Sequence, residues 1–468
     1  MDVGVELRTG HRPLHWPQGR VALLYVGDEE IPGDPLPVMN PPMGVQVLAT
    51  LLRRHGVTAD VFDDRLMADP VAEIVAFAPD LVGLSYLSTA SAEADRLAGC
   101  LHTAGLRTVA GGVHATVRAD DLVAAGTYDC VVTGDGEGAL LDLCGRLSRD
   151  EPLPPRLDGR PWGDLDALAP IDRFAVYAPV YGAPDRIPAV ALQIGRGCPM
   201  NCQFCELARD AGTYALPSAY GRRRPEAVVA ELATYLERWD ATYVVLLDSI
   251  ATLHQEALTA VIRHLAARGG VSLQLNAHVN KFGAGIAAEV ATLDDVSVWF
   301  GFESGSDRML GRLKKGHTAA AAWDAARRAL DTGARLGVNL LIGLPGETDE
   351  DRALTEAFVA RIVDHDVDGR AILNPNIFNP LPGTPLYDDC LAEGLMVRPG
   401  DDRVWSAEAI EATGGGPVRG IDYARVVDQY RTLQRMSERR TRDFVGWAGP
   451  ATNEPSTATG DQIRRLPA

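Results

Sequence analysis

Three cysteines lie close together in a chain that otherwise uses cysteine sparingly. Cys198, Cys202 and Cys205 fall in the stretch GCPMNCQFCE, while the whole chain of 468 residues holds seven cysteines. Structural zinc requires four ligands, usually from two pairs, and the sequence offers no second Cys or His pair at a suitable spacing. Three thiolates instead suit a four-iron cluster whose fourth iron stays open to a substrate or cofactor. Chance clustering of buried thiols is the alternative.

The stretch GRGCPMNCQFC resembles the cluster loop of the radical S-adenosylmethionine (radical SAM) superfamily, including the aromatic residue Phe204 before the last cysteine. Three later segments resemble further parts of the same barrel: 300–318 (FGFESGSDRMLGRLKKGHT), 340–348 (LLIGLPGET) and 379–387 (NPLPGTPLY). The segments PPMGVQVLATLLRRHG, GGVHAT and GDGEG resemble the cobalamin (B12)-binding-type domain of one branch of the superfamily.

This resemblance implies the chemistry. Cys198, Cys202 and Cys205 would hold a [4Fe–4S] cluster, and S-adenosylmethionine (SAM) would bind its open iron. One electron, supplied by an external donor or partner reductase, would release a 5′-deoxyadenosyl radical that abstracts hydrogen from a polar small-molecule substrate. The cofactor-binding residues that the resemblance implies, with Glu303 facing the cationic amino group, are Phe204, Gly301, Glu303, Ser304, Asn276, Ile342 and Gly343.

Acidic and aromatic residues around the cysteines indicate the substrate and the catalytic groups. Glu206 follows the last cysteine, and the loop 27–42 (GDEEIPGDPLPVMNPP) carries four further carboxylates. If both face the site, they favour a substrate with amines and hydroxyls; exposed loop carboxylates are the alternative. We predict Tyr214 and Glu206 as catalytic residues, with Tyr214 or Tyr220 as a general acid or proton donor; a buried tyrosine with an ordinary hydrogen bond is the alternative.

The loop 27–42 lacks the Asp-x-His-x-x-Gly pattern with which relatives place a histidine on cobalamin. The sequence therefore leaves open whether this protein binds cobalamin. His114 is predicted to be a packing residue. We therefore expect radical dehydration of an aminoglycoside-like sugar in antibiotic biosynthesis, with a cobalamin-dependent radical SAM C-methyltransferase as the alternative. A tRNA-modifying enzyme and a non-catalytic iron–sulfur protein are weaker alternatives.

The elements that must position these residues fall into two parallel α/β units. Five apolar strands with short crossovers predict a doubly wound, flavodoxin-like parallel sheet, followed by a partial (β/α) barrel. The predicted divisions are a cobalamin-binding-type domain at 1–150, a linker at 151–188, the barrel at 189–385, a helical region at 386–450 and a disordered tail at 451–468.

Composition excludes several classes of protein. A formal net charge of −18 disfavours nucleic acid as a partner, because such a chain repels phosphate. No apolar run approaches the length of a membrane helix, and no signal peptide is apparent, so we expect a cytoplasmic protein without membrane contact.

Overall fold

The structure is a computed structural model that describes residues 14, 16–27, 42–168, 170–172, 189–207, 221–398 and 405–441. In its N-terminal part, strands alternate with helices, as the apolar runs predict. These elements are β1 (Arg20–Val26), α1 (Met43–Arg54), β2 (Thr58–Asp63), α2 (Pro70–Phe77), β3 (Leu81–Tyr86), α3 (Ser91–Thr103), β4 (Thr108–Gly111), α4 (Gly112–Val117), α5 (Ala119–Ala125), β5 (Cys130–Thr133), α6 (Gly136–Leu147) and β6 (Arg156–Asp158).

Within the described residues, the first sheet has six parallel strands in the order β2-β1-β3-β4-β5-β6. The predicted doubly wound, flavodoxin-like sheet is confirmed, because the strand order reverses at β1 and helices cover both faces. Apolar side chains fill both faces: Leu23 and Val109 belong to one core cluster, and Leu24 and Ala110 to the other. The carboxyl ends of the strands lie together at one edge.

Strand β6 is the one strand of this sheet that the sequence analysis missed. It lies within residues 151–188, predicted as a linker, and pairs with β5 through Val131–Arg156 and Thr133–Asp158. Its sequence, RLD, holds a single apolar side chain and follows a proline-rich stretch, so it lacks the apolar run by which the other strands were predicted.

The second half of the described chain begins with β7 (Ala189–Leu192) and continues with βα units. The elements are β8 (Gly195–Arg196), β9 (Gly221–Arg222), α7 (Pro225–Trp239), β10 (Tyr243–Leu246), α8 (Gln255–Arg268), β11 (Ser272–Ala277), α9 (Ala284–Val290), β12 (Val296–Glu303), α10 (Asp307–Arg312), α11 (Ala319–Asp331), β13 (Arg335–Ile342), α12 (Asp349–His365), β14 (Ala371–Ile377), α13 (Pro385–Ala392), α14 (Ala407–Thr413) and α15 (Tyr423–Thr441).

In the part of the chain that the structure describes, six parallel strands of this half pair in the order β14-β13-β12-β11-β10-β7. Each strand neighbours the next one along the chain, which is the order of a barrel wall, and β7 and β14 stay at opposite edges. The predicted partial (β/α) barrel is confirmed. Its core includes Val244, Leu273, Val298 and Leu336, all on strands and all buried.

Capped helices close the units that follow the barrel strands. Thr348 and Asp351 form a capping box at the start of α12, and Thr384 caps α13. Helix α15 packs against the barrel, with Val426 and Leu433 in the same core cluster as the strands. Across the described helices, none combines the length and the apolar character that crossing a bilayer requires.

Candidate active site

A buried carboxylate fixes the start of the loop that carries the three clustered cysteines. The Ile194 and Gly195 amides donate hydrogen bonds of 3.0 and 2.7 Å to the two oxygens of Asp248. Asp248 follows β10 at the carboxyl end of the barrel and is 3% exposed. Burial, the largest cause, raises the pKa of Asp248 to about 7. The backbone just before Cys198 is therefore tied to the neighbouring strand.

The cysteines themselves are free thiols that lie largely out of solvent. Burial is the main cause that raises the pKa of Cys198 and Cys202, and it raises the pKa of Cys205 to about 12. Cys202 and Cys205 also respond to the charge of neighbouring thiols, and Lys315 acts on all three in the opposite direction. Burial therefore dominates the pKa of all three thiols.

The chemistry of this donor set fits an iron–sulfur cluster better than a single ion. Among the residues described, no three His, Cys, Asp or Glu side chains group tightly enough to hold one metal ion. A four-iron cluster does not require such convergence, because each thiolate binds a different iron. Three thiols within eight residues of one loop can supply those ligands.

Two further backbone hydrogen bonds hold the middle of the cysteine loop. Gln203 N donates to Leu313 O at 3.0 Å, and Leu386 N donates to Gln203 O at 2.9 Å. The ring of Phe204 packs against an apolar cluster that includes Met309 and Leu344. The loop is therefore clamped between the segment after α10 and the start of α13.

The predicted SAM-binding carboxylate forms a buried ion pair. Lys315 Nζ is 3.1 Å from Glu303 Oε1, and both side chains are about one-tenth exposed. Glu303 ends β12 at a bulge with φ of 63°, a conformation that side chains rarely adopt. Gly301 lies beneath the pair, since a Cβ there would be 2.4 Å from Glu303 Oε1. The structure thus brings Gly301 and Glu303 together and adds a lysine to them.

Four other predicted cofactor-binding residues lie at the carboxyl ends of barrel strands but make internal contacts. Asn276 Nδ2 donates to Asp248 O at 3.1 Å. The fully buried Ser304 hydroxyl pairs with Thr355 Oγ1 at 3.1 Å and accepts from the Ser306 amide. The Ser304 hydroxyl therefore forms its side-chain hydrogen bond with helix α12, which carries Thr355.

At the end of β13, Ile342 is fully buried in the barrel core. Gly343 has φ of 74°, and its amide donates to Glu347 Oε2 at 2.9 Å. A Cβ on Gly343 would approach Val426 to 3.0 Å, so this turn requires glycine. Both residues shape the strand end, and their role toward SAM stays a prediction.

Of the two predicted catalytic residues, one lies within the described residues. Glu206 Oε1 is 3.3 Å from the hydroxyl of Ser88, which follows β3 of the first sheet. Tyr214, like Tyr220, lies outside the residues that the structure describes. The acidic residues predicted in loop 28–41 also lie outside them.

The cysteine loop is ionically bound to the carboxyl edge of the first sheet. Arg196 contacts Asp135, which precedes α6, at 3.1 Å and Glu137, in the first turn of α6, at 2.8 Å. A third contact between the two halves joins Arg118 to the Tyr387 hydroxyl at 2.9 Å. Together with the Ser88–Glu206 contact, these bonds turn the carboxyl edge of the first sheet toward the cysteines.

Sequence reasoning missed Asp248, Lys315 and Arg196 as site residues. Lys315 and Arg196 stand inside the motifs GRLKKGHT and GRGC that carry the resemblance, so their position was a usable signal. Asp248 follows the apolar run VVLL at the end of a predicted strand, where a barrel places functional residues.

Comparison with known proteins agrees with this architecture. Residues 192–359 match the Radical SAM superfamily, and residues 35–143 match the B12 binding domain. An uncharacterised methyltransferase of Pyrococcus horikoshii is 26% identical over 387 residues, covering 76% of this chain and 80% of that protein. A tRNA-2-methylthio-N(6)-dimethylallyladenosine synthase of Leptothrix cholodnii is 33% identical over 143 residues, which cover 30% of this chain and 28% of that protein.

Among solved structures, the radical SAM methyltransferase TsrM from Kitasatospora setae, with cobalamin and a [4Fe–4S] cluster bound, has the same fold. Its TM-score is 0.63 at 20% identity, and the match covers 82% of this chain and 80% of that chain. The fold, both family matches and the three cysteines agree with one another. The chain is a radical SAM enzyme with an N-terminal B12-binding domain.

Proposed function

We propose that this protein is a cobalamin-dependent radical SAM C-methyltransferase acting on a polar small molecule. The observation that carries the proposal is the direct contact between the carboxyl edge of the first sheet and the cysteine loop. Ser88, after β3, contacts Glu206, and Glu137, in the first turn of α6, pairs with Arg196. In doubly wound sheets, ligands bind beyond this edge. A cobalamin bound there would face the cluster site.

The turns at this edge fit a ligand that lies flat on the strand ends. Gly112, after β4, has φ of 90°, and Gly134, after β5, has φ of 68°. A Cβ on Gly112 would lie 3.0 Å from both Ser85 Oγ and Tyr86 O. Because these two glycines have no Cβ, the backbone of both turns can pack closely against the strand ends.

The N-terminal half offers no histidine ligand to the lower face of cobalamin either in residues 28–41 or at His114, so a cobalamin bound here would be held without one. Residues 28–41 contain no histidine. His114 is 4% exposed, and its ring centroid is 5.4 Å from that of Tyr86. It is the packing residue that the sequence predicts. We therefore assign it no contact with cobalt.

When bound, the cluster and SAM supply one-electron radical chemistry, and cobalamin supplies a transferable methyl group. The chain's own residues hold and orient these groups. The three cysteines would ligate the cluster, while Asp248 and Arg196 fix their loop to the barrel and to the first sheet. Glu303, paired with Lys315 through Oε1, would hold the amino group of SAM. The first sheet, lying over the loop, would exclude water from the radical site.

We infer a substrate that is polar and carries amines or hydroxyls. Glu206 directly follows Cys205 in the sequence, and its carboxylate accepts a hydrogen bond from Ser88 at the contact between the two halves of the protein. The net charge of −18 opposes a polyanionic substrate, so we favour a small molecule over tRNA even though one relative is a tRNA-modifying enzyme. The reducing electron would come from an external donor.

The test uses anaerobically reconstituted, full-length protein incubated with hydroxocobalamin, desalted, and then given SAM and dithionite. We expect one cobalt per chain after desalting, and both 5′-deoxyadenosine and S-adenosylhomocysteine as products of SAM. The matched control replaces all three clustered cysteines with alanine; it should retain cobalt and yield no 5′-deoxyadenosine.

Radical dehydration is the second candidate, and the histidine-free loop 28–41 is the observation that favours it. The same experiment separates the two. Iron–sulfur absorbance and 5′-deoxyadenosine without retained cobalt would contradict methyl transfer and favour loss of water from the substrate. Because the Pyrococcus horikoshii relative that covers 76% of this chain is an uncharacterised methyltransferase, we place methyl transfer first.

A further inference from the structure

Lys315 is a buried cation held against the cysteine loop. It is 7% exposed, and its Nζ lies 5.5 Å from the centre of the Phe204 ring, between Cys202 and Cys205 in the sequence. Among the residues that the structure describes, its ionic partner is Glu303, at 3.1 Å. A buried ammonium costs solvation energy and is retained only where a partner or a function offsets that cost.

Hydrogen bonds hold the backbone around Lys315, so the start of its side chain stays beside the cysteine loop. Lys315 N donates to Leu310 O at 3.1 Å, and His278 Nε2 is 3.3 Å from Lys315 O. Two residues earlier, Leu313 O accepts the hydrogen bond from Gln203 N of the cysteine loop. The lysine segment and the cysteine loop therefore form one rigid unit.

The ammonium of Lys315 lies beside the loop that carries the three sulfurs. Its Nζ is 5.5 Å from the ring centre of Phe204, which directly precedes Cys205, and the hydrogen bond from Gln203 N to Leu313 O holds the lysine segment against the residue after Cys202. The Glu303–Lys315 pair therefore puts a buried positive charge next to the residues between Cys202 and Cys205.

A fixed positive charge beside an iron–sulfur cluster stabilises the state that holds one more electron, because net charge and burial set the reduction potential. We propose that Lys315 raises the reduction potential of the cluster held by the three cysteines, and so brings the first electron transfer within reach of an external donor. The proposal rests on the radical SAM family and not on methyl transfer, so a failure to bind cobalamin would leave it standing.

The test is a redox titration of the reconstituted full-length protein with dithionite, without SAM, followed by the paramagnetic signal of the reduced cluster. One electron passes from dithionite to the cluster, and no bond to the protein changes. Lys315→Met should shift the equilibrium about tenfold toward the oxidised cluster, which is about 59 mV for a one-electron couple. Lys315→Arg keeps the charge and should titrate like the wild type.

The matched control is Lys314→Met, which removes the same charge from the exposed neighbouring residue and should leave the potential unchanged. A Lys315→Met protein with full iron content and wild-type potential would overturn the proposal. So would an equal shift in Lys314→Met.

If Lys315→Met takes up no iron, the comparison moves to a background without the buried carboxylate. Glu303→Gln should raise the potential, and adding Lys315→Met to it should lower the potential again by about tenfold in equilibrium constant. Equal potentials for Glu303→Gln and the double variant would refute the role of the lysine charge.

Discussion

Arg196 Nη2 lies 2.8 Å from Glu137 Oε1, and this ion pair joins the loop of the cluster cysteines to the first turn of α6, the helix that follows β5 of the first sheet. Nη1 of the same guanidinium contacts Asp135 at 3.1 Å. Arg196 stands two residues before Cys198, so one side chain connects the cysteine loop with the edge where a B12 ligand would lie. This pair acts with the Ser88–Glu206 and Arg118–Tyr387 contacts to hold the two functional edges together.

Arg196→Gln should destabilise the protein and loosen the two edges. It leaves Asp135 and the buried Glu137 without their cation, and breaking a buried pair in this way costs about 3–5 kcal/mol. We expect a lower urea midpoint and less 5′-deoxyadenosine per bound iron. Arg149→Gln, at an exposed pair with Glu151, is the control and should change stability by about 0.5 kcal/mol or less. A wild-type midpoint and turnover for Arg196→Gln would contradict the role of this contact.

Each of Cys198, Cys202 and Cys205 should be individually required for the cluster. A serine at any of them removes a thiolate that iron needs, so iron content and visible iron–sulfur absorbance should fall several-fold after reconstitution. Cys100→Ala, on helix α3, serves as the control and should keep both. Full absorbance in any one of the three serine variants would remove that residue from the ligand set.

Asp248→Asn should weaken the start of the cysteine loop. Two amides, from Ile194 and Gly195, donate to the two carboxylate oxygens, and asparagine offers one acceptor and turns its own NH₂ toward the other amide. The cost of an unsatisfied buried donor is about 1–3 kcal/mol. The urea midpoint and the iron retained after desalting should both fall, whereas the exposed Asp368→Asn should leave both unchanged. Undiminished iron retention in Asp248→Asn would argue against this tether.

Acid should destabilise the first sheet through His114. Burial is the largest cause that lowers the pKa of His114 from 6.5 to about 4. Between these pH values the unfolded chain binds a proton that the folded chain does not, so stability is lost as pH falls through 6.5. At pH 5.5 this amounts to about 1 kcal/mol.

The measurement for His114 is the urea midpoint at pH 7.5 and pH 5.5. His114→Gln should lose less stability than the wild type between the two pH values, because glutamine does not titrate. Leu122→Ala, a non-titrating change in the same core, should lower stability equally at both pH values relative to the wild type. An identical pH dependence in wild type and His114→Gln would count against the buried neutral histidine.

The apolar runs and the cysteine spacing were sufficient to predict much of this protein. VALLYV and YVVL became buried strands because continuous apolar residues must be covered on both faces of a parallel sheet. The triad of cysteines carries its chemistry in its spacing, since neighbouring thiols on one loop remain neighbours in any fold. Strand β6 was not predicted, because its hydrogen bonds to β5, and not its own composition, make it a strand.

What the sequence by itself determined is therefore local: the family, the alternation of strands and helices, and the three candidate cluster ligands. The tertiary structure decided the partners of charged groups that lie far apart in the chain. It placed Asp248 on the Ile194 and Gly195 amides and Glu137 on Arg196. It also paired Glu303, which was predicted to bind SAM, with Lys315. Spacing cannot encode such pairs, because an ion pair depends on distance in space, which only the packing of the strands sets.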